Sequence, residues 1–212
     1  MLLESELVCT IALFKLYKTI NIRNMEMTAH VGYHTCKLEN GFDYIVDNIP
    51  FRSGNGANQW LTQGYYFWTD SDYWAKKWGI SNRRVIGQFN INLCFKKEVL
   101  DLVGNVQHQL EFIQLKDIIL AKLDKEETRK SVTVNQILSK LRCSKEIFPY
   151  LGVKAQDGRT VENIDFVDPK INKSKLGLVT PQQLCVFEEA KDRIFLNGFI
   201  EPSDFAEKMP TA

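Results

Sequence analysis

The chain has 212 residues, of which 44% are hydrophobic and 25% are charged, and its formal net charge is +1. These values are typical of an ordinary soluble globular protein, and the length suits one domain with a substantial core. A net charge this close to zero provides no overall field that would indicate a nucleic acid or an anionic membrane as the partner.

The cysteines and histidines exclude two common kinds of site. Five cysteines, an odd number, and three histidines are scattered along the chain, and no C-x-x-C pair occurs. We therefore expect no disulfide framework and no metal site, and a reducing, cytoplasmic location. The apolar stretch 7–17 is too short for a membrane span and lacks the basic start of a signal peptide, so no membrane association is expected. We interpret residues 1–30 as an N-terminal extension.

A strand rich in aromatic rings is the strongest local feature. Residues 31–36 and 42–45 are predicted to be short extended pieces, and residues 51–58 a loop because they include two glycines and two asparagines. Residues 64–68 then read Gly-Tyr-Tyr-Phe-Trp. Alternation would give one polar face, but here large rings occupy both faces. Such a strand lies between two layers or lines a pocket for a flat ligand. Residues 71–78 have helical spacing.

The remaining pattern indicates an α+β protein. In residues 84–95, Phe89 and Ile91 alternate with Asn90 and Asn92, which predicts a strand. Residues 107–125 and 134–141 are predicted helices, and together they suggest a helical insertion at about 107–150. A basic loop at 169–177, a short strand at 184–187 and an apolar piece at 194–200 follow, and residues 201–212 are expected to be a frayed tail. Strands at both ends with helices between them favour antiparallel pairing.

Three segments resemble a known family when they are taken together. They read Gly-Tyr-His-Thr-Cys at 32–36, Gly-Tyr-Tyr-Phe at 64–67 and Gln-Leu-Cys-Val-Phe at 183–187. Their order and spacing resemble the His-Tyr-Glu class of ADP-ribosyltransferases, which includes diphtheria toxin and the poly(ADP-ribose) polymerases. The middle motif is the most specific one, and compact bacterial members are the most similar. Taken singly, His34 on its apolar strand and the aromatic run would each be interpreted as part of the core.

The resemblance implies a fold and a substrate. It covers roughly residues 31–197, and we take residues 31–200 as an ADP-ribosyltransferase-like domain. The expected fold is a split β-sandwich of two small antiparallel sheets around an NAD cleft, flanked by helices. The substrate would be NAD, whose nicotinamide–ribose bond is cleaved with positive charge developing on the ribose.

The resemblance also assigns roles to individual residues. His34 would hydrogen-bond the nicotinamide ribose, Tyr66 would stack on the nicotinamide, and Gln183 stands where the family has its catalytic glutamate. Thr35 and Cys36 occupy the Gly and Ser/Thr positions that follow the histidine in the family and would contact NAD.

Arg52 could meet the pyrophosphate, because a guanidinium suits phosphate oxygens. A solvated loop arginine is an equally good interpretation of this residue.

Two departures from the family pattern leave alternatives open. Thr35 introduces a side chain where the family has glycine, and Gln183 can hydrogen-bond but carries no charge and cannot act as a base. We expect a mono-ADP-ribosyltransferase, a bacterial toxin or anti-phage effector that modifies an intracellular protein or nucleic acid and is restrained by a cognate antitoxin or inhibitor. The second hypothesis is an inactive NAD-binding module or pseudoenzyme. An RNA 2′-phosphotransferase ranks last, because only residues 83–84 form an arginine cluster.

Overall fold

The computed structural model describes residues 29–54, 56, 59–121 and 131–211. The described strands are β1 (Ala29–Lys37), β2 (Tyr65–Thr69), β3 (Arg84–Asn92), β4 (Val99–Asp101), β5 (Gly152–Gln156), β6 (Glu162–Asp165), β7 (Lys175–Leu178), β8 (Gln182–Val186) and β9 (Ile194–Glu201). The described α-helices are α1 (Gly41–Asn48), α2 (Tyr73–Lys77), α3 (Val106–Ala121), α4 (Val134–Leu141) and α5 (Ser203–Lys208). The expectations for residues 1–28 and for the charged run 122–130 lie outside the described residues.

Seven strands form one sheet in the order β4-β5-β8-β2-β1-β3-β9, and β6 pairs with β7 in a separate hairpin. The α+β class is therefore confirmed. The expected two small antiparallel sheets are not what forms, because β1 and β2 join the strands on either side into one sheet. One neighbouring pair, β4 and β5, is parallel.

The join between β1 and β2 is short. It consists of the pairs Gly32–Thr69 and Tyr33–Trp68. On its other side, β1 pairs with β3 along its whole length, from Ala29 to Lys37. The strands β1 and β2 thus share a sheet at one end and stop pairing beyond Tyr33.

Both faces of the sheet are covered, as the aromatic strand predicts. Tyr65 and Phe67 of β2 belong to one core cluster, with Phe89 and Ile91 of β3. On the opposite face, Tyr66 packs against a second cluster and Trp68 belongs to a third. The predicted alternation in β3 is confirmed, since Phe89 and Ile91 are buried in the same cluster.

The predicted helical insertion is the crossover between the two parallel strands. Helices α3 and α4 lie in the chain between β4 and β5, and parallel neighbours need such a long connection. Three residues of α4 (Ile137, Leu138 and Leu141) are buried in the second cluster, the one on which Tyr66 packs. The insertion therefore contacts the aromatic strand.

Two local expectations were wrong. Residues 42–45 are helical, not extended: α1 begins after Asn40, whose φ of 62° is left-handed, and its apolar residues Phe42, Ile45 and Val46 pack on the first cluster. The tail after Pro202 is not frayed, because α5 buries Phe205, and the Phe199 N–H donates to the Met209 carbonyl at 3.0 Å. In both cases, burial of apolar side chains stabilises a helix too short to form alone.

Candidate active site

A cleft of about 560 Å³ opens where the β1–β2 ladder ends. Its volume is in the range of small-molecule sites, about 300–1,000 Å³. It is lined by all six candidate residues from the sequence: His34, Thr35, Cys36, Tyr66 and Gln183 of the motifs, and Arg52 of the glycine-rich loop. These residues come from four separate parts of the sequence. The structure therefore brings the predicted set together on one cavity.

His34 bridges the gap between the two strands. Its Nδ1 lies 2.9 Å from the Tyr66 carbonyl oxygen, and its Nε2 lies 3.2 Å from the backbone nitrogen of Phe51. Because a carbonyl only accepts and an N–H only donates, the proton sits on Nδ1 and Nε2 is the acceptor. Both ring nitrogens are therefore engaged by the backbone.

The environment of His34 keeps its ring neutral. The side chain is 6% exposed, and the rings of Phe67 and Phe89 lie 5.9 and 6.4 Å from it, centroid to centroid. Burial lowers the pKa of His34 to about 4, and the hydrogen bond to Tyr66 opposes this only in part. At neutral pH, His34 acts as a hydrogen-bonding group and not as a cation.

Tyr66 lines the cleft and its hydroxyl closes the preceding loop. The hydroxyl donates to the Thr62 carbonyl at 2.6 Å and accepts from the Leu61 N–H at 2.9 Å. Burial raises the pKa of Tyr66, so the phenol stays protonated. The hydroxyl has a structural role in this arrangement, while the residue remains a lining group of the cleft.

Gln183 lies on the same face of the sheet as Tyr66 and Trp68 of β2. It pairs directly with Trp68 across the β2–β8 ladder, and the next pair on that face is Tyr66–Cys185. Gln183 is 9% exposed. Trp68 and Tyr66 thus form a ring wall beside the amide, and this is the position that carries a carboxylate in the family the motifs resemble.

Thr35 and Cys36 line the cleft as uncharged groups. The Thr35 hydroxyl donates to the Ala75 carbonyl at 3.3 Å, which ties β1 to α2. Burial raises the pKa of Cys36 to about 12, with a further contribution from Glu39, so its thiol stays protonated at neutral pH. Neither residue is an activated nucleophile here.

Arg52 is fixed at the cleft by two side chains. Its Nε lies 2.9 Å from the Glu188 carboxylate, and its Nη2 donates to Oε1 of Gln63 at 2.6 Å. Tyr65, which precedes Tyr66 in the chain, donates a hydrogen bond from its hydroxyl to the same Glu188 carboxylate at 3.2 Å. Arg52 is therefore an anchored cation facing the cavity, not a freely solvated arginine.

Four further aromatic residues line the cleft: Tyr44, Phe51, Trp60 and Trp78. The sequence pointed to two of them, since Trp78 lies on the helical face that the spacing of residues 71–78 predicts and Trp60 lies in the segment that leads into the aromatic strand. The ring of Trp78 lies 5.9 Å from that of Trp68, although α2 ends before it. Tyr44 of α1 and Phe51 of the following loop were missed, because local periodicity could not place them at the cleft.

The comparisons with known proteins found no match: no family model, no curated protein and no solved structure is similar to this chain. Among the described residues, no group of three or more His, Cys, Asp or Glu side chains could hold a metal ion. No helix in the described part of the chain is long and apolar enough to cross a membrane.

Proposed function

We propose that the protein is an NAD-dependent mono-ADP-ribosyltransferase with its active site in this cleft. The observation that carries the proposal is that His34, Tyr66 and Gln183, each taken from a different motif, line one cavity. The cavity combines ring faces that suit a planar nicotinamide with one anchored cation, Arg52, that suits a phosphate.

The reaction is a substitution at the anomeric carbon of the nicotinamide ribose. The C1′–N bond breaks, its electron pair leaves with the nicotinamide, and a nucleophile on the acceptor forms the new bond to C1′ and loses its proton. Tyr66 and Trp68 would hold the leaving ring, Arg52 the pyrophosphate, and Gln183 would hydrogen-bond a ribose hydroxyl. Because Gln183 has no charge, it stabilises the developing cation less than a carboxylate does, and this favours single transfer over chain elongation.

The cellular role in this proposal rests on the resemblance of the motifs. It is that of a bacterial toxin or anti-phage effector that acts in the cytoplasm on a protein or nucleic acid acceptor. Such an activity requires restraint by a cognate antitoxin or inhibitor protein.

A second candidate function is NAD binding without turnover. It is favoured by the engagement of both His34 ring nitrogens with backbone groups, combined with the neutral amide at position 183. In that case the cleft would bind the dinucleotide and the protein would act through an interaction.

The burial and pairing of Arg84 argue against the hypothesis of an RNA 2′-phosphotransferase. Of the two arginines that could grip a phosphate, Arg84 is 8% exposed, and its Nε lies 2.7 Å from the Glu201 carboxylate. A buried arginine that is already paired in this way is not available to a phosphate in the cleft.

The test is a transfer assay with labelled NAD and a whole-cell lysate, with and without nuclease treatment, run beside measurement of nicotinamide release. Tyr66→Ala removes the ring from the cleft. Tyr73→Ala, which removes a ring of the same kind from α2, is the matched control. We expect label on a macromolecule, lost in the first variant and kept in the second.

Two other outcomes would change the proposal. NAD binding without label transfer or nicotinamide release would establish the second candidate. Absence of NAD binding to the wild-type protein would overturn both.

A further inference from the structure

A chain of polar contacts runs from the end of α4 to the cleft. It begins at Arg142, the residue that follows α4, whose Nη1 donates to the Gln63 carbonyl at 2.6 Å. The same guanidinium contacts the Glu189 carboxylate at 3.2 Å and lies over the ring of Phe187, 4.0 Å from its centroid. Its side chain is only 18% exposed. Three partners thus hold Arg142 in one position.

The side chain of Gln63 continues the chain into the cleft. Its Nε2 donates to the Ser53 carbonyl at 3.0 Å, and its Oε1 accepts from Nη2 of Arg52 at 2.6 Å. Because Ser53 presents a carbonyl and Arg52 presents only donors, the orientation of the amide is determined by its partners. Gln63 therefore presents an oxygen to Arg52 and not a nitrogen.

The loop that carries Gln63 is held in a conformation that it would not adopt alone. The preceding residue, Thr62, has φ of 75°, which is unusual for a β-branched residue and strains the backbone. Its carbonyl is bound by Tyr66, and its hydroxyl lies 2.7 Å from that of Ser139 in α4. Nearby, Asn135 donates to the Gln59 carbonyl at 2.7 Å. Side chains of the helical crossover thus fix this loop at several points.

We propose that Gln63 is a positioning residue that orients Arg52 toward an anionic group in the cleft, and that Arg142 keeps Gln63 in place from the helical crossover. An arginine side chain loses rotamer entropy when a ligand fixes it in one position. The contact with Gln63, which carries no charge that would compete with an anion, supplies part of that order before a ligand arrives. Binding of the ligand's phosphate then causes a smaller loss of side-chain entropy.

This inference rests on the proposed function for the identity of the ligand, a pyrophosphate-bearing nucleotide. The binding test uses ADP-ribose, which carries the pyrophosphate, and nicotinamide riboside, which carries no phosphate. We expect Gln63→Ala and Arg142→Ala to weaken ADP-ribose binding about tenfold, the equivalent of 1.4 kcal/mol, and to leave nicotinamide riboside binding unchanged. In an Arg52→Ala background, Gln63→Ala should cause no further loss.

The matched control is Lys145→Ala. Lys145 also contacts Glu189, at 3.8 Å, but its side chain is 76% exposed, and among the described residues it has no hydrogen bond or ion pair with the 59–64 loop. Its removal changes the charge by the same amount as Arg142→Ala and should leave ADP-ribose binding unchanged. Arg142→Lys, which keeps a donor for the Gln63 carbonyl, should restore part of the affinity.

Two results would overturn the proposal. One is an equal loss of affinity for both ligands, which would mean that the loop has collapsed; the other is additive effects of Gln63→Ala and Arg52→Ala. A ligand-free readout separates this proposal from the proposed function. In ¹⁵N NMR relaxation, the side-chain Nε–H group of Arg52 should become more mobile in Gln63→Ala and in Arg142→Ala, but not in Lys145→Ala. If wild-type protein binds no ADP-ribose, the proposed function fails, and an unchanged Arg52 signal would still overturn the positioning role.

Discussion

The imidazole of His34 donates from Nδ1 to the Tyr66 carbonyl at 2.9 Å, at the point where β1 and β2 no longer pair. A side chain thus takes over from the backbone ladder and connects the two strands across the cleft. The first and the second motif are in this way joined by one hydrogen bond. The imidazole ring is buried and neutral, so protonation of His34 should destabilise the site.

The free energy of unfolding should depend on pH through the titration of His34. Its pKa of about 4 in the folded protein is below the ordinary 6.5, so the unfolded chain binds more protons between these pH values. The contribution is fully present above pH 6.5 and is lost as the pH falls toward 4, by about 3 kcal/mol in total. Urea unfolding at pH 7.5 and 4.5 measures it. His34→Asn should remove this part of the pH dependence, and an identical slope in both proteins would contradict the assignment.

Two substitutions of Tyr66 should distinguish the role of its ring from the role of its hydroxyl. Tyr66→Phe leaves the Leu61 N–H without its partner and the Thr62 carbonyl with only the Cys185 thiol, at 4.0 Å, which should lower the free energy of unfolding by about 1–3 kcal/mol. The phenyl ring still lines the cleft, so most NAD turnover should remain. Tyr66→Ala should abolish turnover. Equal inactivity of the two variants, measured as nicotinamide release, would assign the chemistry to the hydroxyl instead.

Gln183→Glu should raise NAD turnover, because it places a carboxylate beside the developing ribose cation. Position 183 is 9% exposed, and burial raises the pKa of a carboxyl group. The gain should therefore grow as the pH rises and the group ionises. Gln182→Glu, one residue away on the opposite face of β8, is the control and should show no gain. No turnover in either the wild-type protein or Gln183→Glu at any pH would favour the non-catalytic function.

Glu188 should compete with an anionic ligand for Arg52. Both side chains of this ion pair are 45% exposed, so Glu188→Gln should change stability by less than about 1 kcal/mol. It removes a negative charge next to the cleft and should raise the affinity for NAD a few-fold, more strongly at low ionic strength. Asp192→Asn makes the same charge change at a side chain that is 79% exposed, and should have no effect. A weaker affinity in Glu188→Gln would mean that the ion pair is needed to orient Arg52.

Gly64 should not tolerate a side chain. A Cβ there would lie 2.5 Å from the Val186 carbonyl oxygen and 2.6 Å from Sγ of Cys185, and the first of these atoms belongs to the backbone. Gly64→Ala should cost about 1–3 kcal/mol in urea unfolding. Gly158→Ala, where no described atom lies within 4 Å of the added carbon, should stay within about 0.5 kcal/mol of wild type. Similar values for the two variants would show that β2 can move away from β8.

Local sequence patterns predicted those parts of the fold that depend on periodicity. The alternation around Phe89 and Ile91 identified β3, and the spacing in 134–141 identified α4. The same reasoning failed at α1, because the window 42–45 is too short to reveal that Phe42, Ile45 and Ile49 recur at helical spacing. A longer window would have found it.

The candidate site was predicted only as far as its motifs extend. The motifs supplied five of its residues and the glycine-rich loop supplied Arg52, but Gln63 and Arg142 were missed, since they are 79 residues apart in the chain and meet only in the folded protein. The joining of the strands into one sheet was missed for a similar reason. It depends on the pairing of Gly32 with Thr69, and no local pattern encodes a contact between distant strands.

The short ladder between β1 and β2 makes the cleft a gap within the sheet. Side chains of both neighbouring strands pack tightly against Gly32: a Cβ there would lie 2.8 Å from Cδ1 of Ile91 in β3 and 2.9 Å from Cβ of Phe67 in β2. A larger residue at this position would push Phe67, and β2 with it, away from β1. The width of the opening is thus limited by a glycine that does not line it, and a change in the size of the accepted ligand can arise without any substitution in the cleft itself.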